Sequence, residues 1–255
     1  MADLNMRYQS TVSAERAAEI DAGLRLYMNK VYALMAGAMV LTGLVAYVFG
    51  SSLSNAMSGE PSLIPVGMLE AMYTSPGRYI IMFAPLIFVF GFSAMINRMS
   101  AATAQMVFWA FGAVMGMSIS WIFAVYTEMS IFRTFLVTAI AFGSLSIYGY
   151  TTKRDLSGMG SFLMMGLFGL IGAMIVNMFL GWDGLQFAIS VAGVLIFAGL
   201  TAYDTQNIKN EYLVYSVHPE GRAMLEKGPV MGALRLYLDF INLFMFLLQF
   251  LGNRE

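Results

Sequence analysis

Two aspartates stand where a carboxylate is costly. Asp204 closes an apolar run in Leu200-Thr201-Ala202-Tyr203-Asp204-Thr205, and Asp239 lies within another in Leu234-Arg235-Leu236-Tyr237-Leu238-Asp239-Phe240-Ile241-Asn242. Arg98 ends a third run. Ionisable groups in apolar spans are rare because desolvating a charge is expensive, and those that persist default to ion or proton pathways. Two carboxylates within a few ångströms in a low dielectric do not easily both ionise, so they share a proton and titrate as a pair. A neighbouring arginine opposes this by favouring the ionised forms, which makes such a trio a candidate pH switch. Freed of the proton, the pair offers hard oxygen ligands to a hard divalent cation. A plainer alternative is structural: Asp204 caps a helix end and reaches water, while Asp239 pairs with Arg235 one turn earlier.

The elements that must position these residues are membrane spans. The 255-residue chain is 59% hydrophobic and 11% charged, with a mean hydropathy of +0.71; a soluble domain carries about 25% charged residues. No charge occurs between Val31 and Gly59, between Met99 and Thr127, or between Leu156 and Trp182. Apolar runs of 18 or more residues read as membrane-spanning helices. Seven follow: Val31–Phe49, Tyr79–Ile96, Ala104–Tyr126, Thr134–Gly149, Ser161–Leu180, Leu185–Tyr203 and Gly232–Leu251. Barrel strands would alternate apolar and polar residues, whereas these segments are apolar all round. The reading is an all-α polytopic membrane protein with one transmembrane domain, residues 31–255, preceded by a solvated tail, residues 1–30. Gly50–Arg78 and Asp204–Met231 read as long loops, and Gly181-Trp182-Asp183-Gly184 as a tight interfacial turn. Gly112, Gly116 and Ser120 follow the small-residue spacing that lets helices approach closely.

The same composition excludes other classes. A soluble enzyme or a disordered scaffold does not fit, and a net charge of −1 gives no footprint for nucleic acid. With no cysteine there is no disulfide, thiol catalysis or Cys-ligated metal. The single histidine, His218, falls in a loop before Pro219, and the 23 methionines suit flexible packing better than metal binding. No cofactor is expected.

Orientation follows from the bases. With seven spans, eleven Lys and Arg fall on the N-terminal side and three (Arg78, Arg133, Arg254) on the other. The positive-inside rule then puts the N-terminus in the cytoplasm and the C-terminus outside. Six spans with a re-entrant last segment would keep both ends inside. In the seven-span topology Asp239, seven residues past Gly232, is about 10 Å deep, and Arg98, Asp204 and Asp239 reach one level near the cytoplasmic side.

Beyond these residue-level readings, the chain resembles a known family. The stretch from Thr138 to Leu156, with Gly143-Ser144-Leu145-Ser146-Ile147-Tyr148-Gly149-Tyr150 at its centre, is similar to the signature of the Bax inhibitor-1/YccA family, also called the transmembrane Bax-inhibitor-motif proteins. Tyr203-Asp204-Thr205-Gln206-Asn207-Ile208-Lys209, Leu236-Tyr237-Leu238-Asp239-Phe240-Ile241-Asn242-Leu243-Phe244 and Asn97-Arg98-Met99-Ser100 resemble further segments of it. The resemblance implies a seven-helix bundle with the last helix surrounded by the other six. It also implies a pH-sensitive calcium leak across the inner membrane, with calcium as permeant ion. The family's gating aspartates fall on Asp204 and Asp239, and its latching arginine is placed on Arg98.

Three rival functions remain. An intramembrane aspartyl protease also uses two aspartates, one in a Tyr-Asp pair, but its second lies in Gly-x-Gly-Asp; here it follows the bulky Tyr237-Leu238. Some bacterial relatives resemble modulators of the membrane protease FtsH, for which the polar tail would be the contact. Proton-coupled transport of another solute is the third. The lipid bilayer and calcium ions are the expected partners in the leak reading, which needs no enzymatic activity.

Overall fold

A computed structural model describes residues 2–218 and 221–253, and among these it contains helices and turns but no strand. The helices are α1 (Ala2–Ser58), α2 (Val66–Tyr73), α3 (Gly77–Met95), α4 (Ala101–Ile119), α5 (Glu128–Thr151), α6 (Ser157–Leu180), α7 (Asp183–Val217) and α8 (Arg222–Leu251). Short 3-10 turns, Ile96–Arg98 and Ser120–Ala124, follow α3 and α4. All but α2 are long and apolar enough to cross a membrane, which gives seven spans. The protein is an all-α polytopic membrane protein. The last helix is continuous over 30 residues, about 45 Å at 1.5 Å per residue. It therefore crosses rather than turning back, and the six-span alternative falls.

The last helix is also the centre. Ala233, Leu236, Tyr237 and Leu248 have no exposed surface and Leu243 almost none. Helix α8 packs directly on α1, α4, α5 and α7. Helices α3 and α6 lie one layer out, against α4 and α7 respectively, so the surround is four helices and two outriders rather than six equivalent neighbours. Close approach between α1 and α4 uses the small residues expected for it. A Cβ on Gly116 would lie 2.7 Å from the Thr42 carbonyl oxygen, and one on Gly112 would lie 3.3 Å from that of Ala38. Thr42 fastens the contact to the centre: its hydroxyl donates to the Gly112 carbonyl (2.8 Å) and accepts from the Tyr237 hydroxyl (2.7 Å).

Both segments read as long loops are largely helical. Within 50–78, α1 continues to Ser58 and α2 follows. Leu69 is buried, and the Tyr73 hydroxyl bonds Ser120 at the end of α4. Beyond Asp204, α7 runs on to Val217 and α8 starts already at Arg222. The polar residues there are contacts, not solvent-exposed loop. Gln206 accepts the Leu156 amide and donates to the Arg154 carbonyl, both at 2.8 Å. Lys209 donates to the Tyr150 carbonyl (2.8 Å) and lies over the Tyr150 ring. These bonds hold the α5–α6 link, where hydrogen bonds from Ser157 keep the exposed Asp155 carboxyl below the usual carboxylate range.

Burial also begins earlier than residue 31. Leu24, Tyr27 and Met28 are in the core, and the Tyr27 ring lies 5.1 Å from that of Tyr212. The expected turn at 181–184 is present: Gly181 has φ of +59°, a left-handed conformation suited to glycine. The amide of the exposed Trp182 donates to Asn177. His218 is the C-cap of α7. Pro219 and Arg254 lie outside the described residues.

The glycines of α5 provide a test of this packing. A Cβ on Gly149 would sit 2.2 Å from the Ala202 carbonyl oxygen, whereas one on Gly143 meets nothing within 4 Å. Gly149→Val should lower the melting temperature in detergent by an amount corresponding to about 1–3 kcal/mol of overpacking. Gly143→Ala should not lower it, and equal loss in both variants would contradict the α5–α7 contact.

Candidate functional site

The two aspartates meet where α7 and α8 run antiparallel. On α7, Asp204, Asn207 and Glu211 recur at helical spacing along one face; on α8, Arg235 and Asp239 are one turn apart. The carboxyls of Asp204 and Asp239 lie within hydrogen-bonding reach of each other. Asp239 is 4% exposed, and Asp204 is half-buried. Asp239 Oδ2 is buried and accepts no hydrogen bond from an N–H or hydroxyl donor among the described residues. An ionised carboxylate has acceptors only, so a bond between the two requires that one of them keep a proton. The geometry allows the two carboxyls to share a proton.

The cation beside the pair is Arg235, not Arg98. Arg235 Nη1 donates to Glu211 Oε1 at 2.7 Å, and its positive charge also bears on both aspartates. Asn207 Nδ2 approaches the same Glu211 oxygen at 3.4 Å. Arg98 is exposed in the turn after α3 and is not among the charges acting on either carboxyl. The turn after α3 does reach α8, where Lys227 donates to the Ile96 carbonyl (3.2 Å), but that contact lies about two helical turns before Arg235 and leaves the Arg98 side chain exposed. The structural alternative is overturned as well. Asp204 cannot cap a helix that continues to Val217, and the ion-pair partner of Arg235 is Glu211.

A hydroxyl chain reaches this level from the neighbouring helices α1 and α5. Thr205 donates to the Thr201 carbonyl (2.8 Å), so Ser146 must donate to Thr205 (3.0 Å) and Tyr32 to Ser146 (2.6 Å). It links α1 and α5 to the residue next to Asp204. Sequence reasoning missed Glu211 because it fell in a segment read as loop. Its spacing of seven from Asp204 was the available signal, meaningful only once α7 is known to extend that far.

Comparison with known proteins decides the family. A family model described as "Inhibitor of apoptosis-promoting Bax1" matches residues 24–255. The chain belongs to the Bax inhibitor-1 family. It is 42% identical over 235 residues to the inner membrane protein YbhL of Escherichia coli K12, covering 92% of this chain and 94% of that one. It is also 45% identical over 235 residues to an uncharacterized protein of Rickettsia prowazekii, 92% of each chain. An uncharacterized protein of Caulobacter vibrioides is 43% identical over the full length of both. The family match opens at Leu24, the first buried residue of α1 among those whose side chains are described.

The assignment of the cation is measurable. Both partners of the Arg235–Glu211 pair are about a third exposed, at 35% and 30%, so a double-mutant cycle with Arg235→Met and Glu211→Gln should give a coupling of about 1 kcal/mol in thermal unfolding. The same cycle with Arg98→Met should give a coupling indistinguishable from zero. Equal couplings would return Arg98 to the site.

Proposed function

We propose that this Bax inhibitor-1 family protein is a pH-sensitive calcium leak channel of the inner membrane, gated by Asp204 and Asp239. The observation that carries the proposal is the carboxyl pair at the α7–α8 seam, one member of which is 4% exposed in the central helix. The inner membrane is supported by the likeness to YbhL and by the seven apolar helices. The excess of bases on the N-terminal side supports a cytoplasmic location for that end, and with it for the α7–α8 link.

In the closed state one proton bridges the two carboxyls and holds α7 against α8. Loss of that proton leaves two like charges side by side, and their repulsion in a low dielectric drives the helices apart. Arg235 limits the repulsion while it remains engaged with Glu211, so it takes the latching role first placed on Arg98. The freed carboxylates are hard ligands for calcium. They supply fewer than the six to eight oxygens that a resident calcium ion takes, which suits transit rather than storage.

Purified protein in calcium-loaded liposomes provides the test. Flux should rise with pH for the native chain, and Asp204→Asn or Asp239→Asn should flatten that dependence, since an amide cannot lose the bridging proton. Arg98→Ala should leave the profile in place. Unchanged pH dependence in both aspartate variants would remove the pair as the sensor.

A further inference from the structure

Helices α1 and α5 flank α8 but diverge along much of their length, leaving a cleft of about 810 Å³. The hydroxyl bond from Tyr32 to Ser146 ties them at one end, and the 3-10 turn Ser120–Ala124 lies against both at the other. The floor is the central helix itself, through Phe240, Ile241 and Phe244, and the walls are almost wholly apolar. The cleft is continuous with the lipid-facing surface: among its lining residues Val40 is 63% exposed, Leu44 61% and Phe132 58%.

We propose that this cleft is a binding site for the acyl chains of a membrane phospholipid. Two magnitudes select that occupant. A spanning helix about 10 Å across and 30 Å long displaces on the order of 2,400 Å³, roughly three times the cleft. A chain of about sixteen carbons, each methylene being near the size of a water molecule, takes on the order of 450 Å³ and fits. Length agrees too. The α1 lining runs from Tyr32 to Tyr47, a rise of about 22 Å, which exceeds the roughly 15 Å of one leaflet's hydrocarbon. Apart from the exposed Glu128 and the bonded hydroxyls of Tyr32 and Thr42, such walls offer water few partners, and lipid-facing side chains border the opening. A lipid seated there rests on the two residues that follow Asp239 and beneath the first hydroxyl of the chain that ends beside Asp204.

Gly43 lines the cleft, and a Cβ there meets nothing within 4 Å, so Gly43→Phe fills the site without a clash at its root. Gly169 on α6 is equally open on another lipid-facing surface and serves as control. The full chain is reconstituted in nanodiscs of phosphatidylethanolamine and phosphatidylglycerol doped with a phospholipid bearing a mid-chain diazirine. After irradiation, adducts are mapped by peptide mass spectrometry. Adducts should concentrate on Met39, Phe142 and Phe240, and their yield should fall about tenfold in Gly43→Phe, as a loss of 1.4 kcal/mol in occupancy would produce, but not in Gly169→Phe. Labelling spread evenly over all lipid-facing helices would mean annular lipid only and would overturn the site. So would labelling of the cleft that Gly43→Phe leaves unchanged, or a cleft left unlabelled because a co-purified polypeptide covers it.

Discussion

A carboxyl group with no water around it must find either a proton or a cation, and Asp239 is placed where this choice cannot be avoided. It sits on the helix that the others enclose, with Leu236, Tyr237 and Phe240 buried beside it. Its partner across the seam is a second carboxyl, and the cation within range already forms an ion pair with Glu211. Three acids and one base thus share one helix–helix seam. Much of the bundle serves to keep α8 central and α7 alongside it.

That service is visible as polar ties at three levels. Near the α6–α7 turn, Asn177 donates to Gln186, Gln186 donates to Gln249, and Ser190 donates to the same Gln249 oxygen. Farther along α8, the bond between Thr42 and Tyr237 joins it to α1. Past the aspartates, Gln206 and Lys209 bind α7 to the α5–α6 link. Between spans in lipid the hydrophobic effect gives little preference for one helix neighbour over another, so close packing at small residues and hydrogen bonds of this kind define the arrangement. The seam is accordingly fixed by contacts above and below it, with the two carboxyls between them.

How far the sequence could be read depended on the physical signal. The seven spans were legible because charge is excluded from hydrocarbon over some 20 residues, a constraint that acts locally. The Gly112/Gly116 contact was legible because small side chains at that spacing have few other uses in a span. The extensions of α7 and α8 were not, since polar residues such as Gln206, Lys209 and Glu211 look the same in a loop as on a helix that binds a neighbouring turn. Arg98 shows the limit from the other direction. Topology gives a residue its depth, but depth is one coordinate of three.

By itself the sequence determined the class, the number of spans, the family resemblance and the two aspartates, because each of these rests on residue type and order along the chain. Only the tertiary structure decided which cation faces them, that Asp204 lies within a helix rather than at its end, and that α1 and α5 part to leave a cleft over the central helix. Those are lateral relations between helices. They are set by which faces pack, through contacts between residues such as Ser146 and Thr205 or Arg235 and Glu211 that lie 59 and 24 positions apart, and hydropathy along the chain carries no record of them.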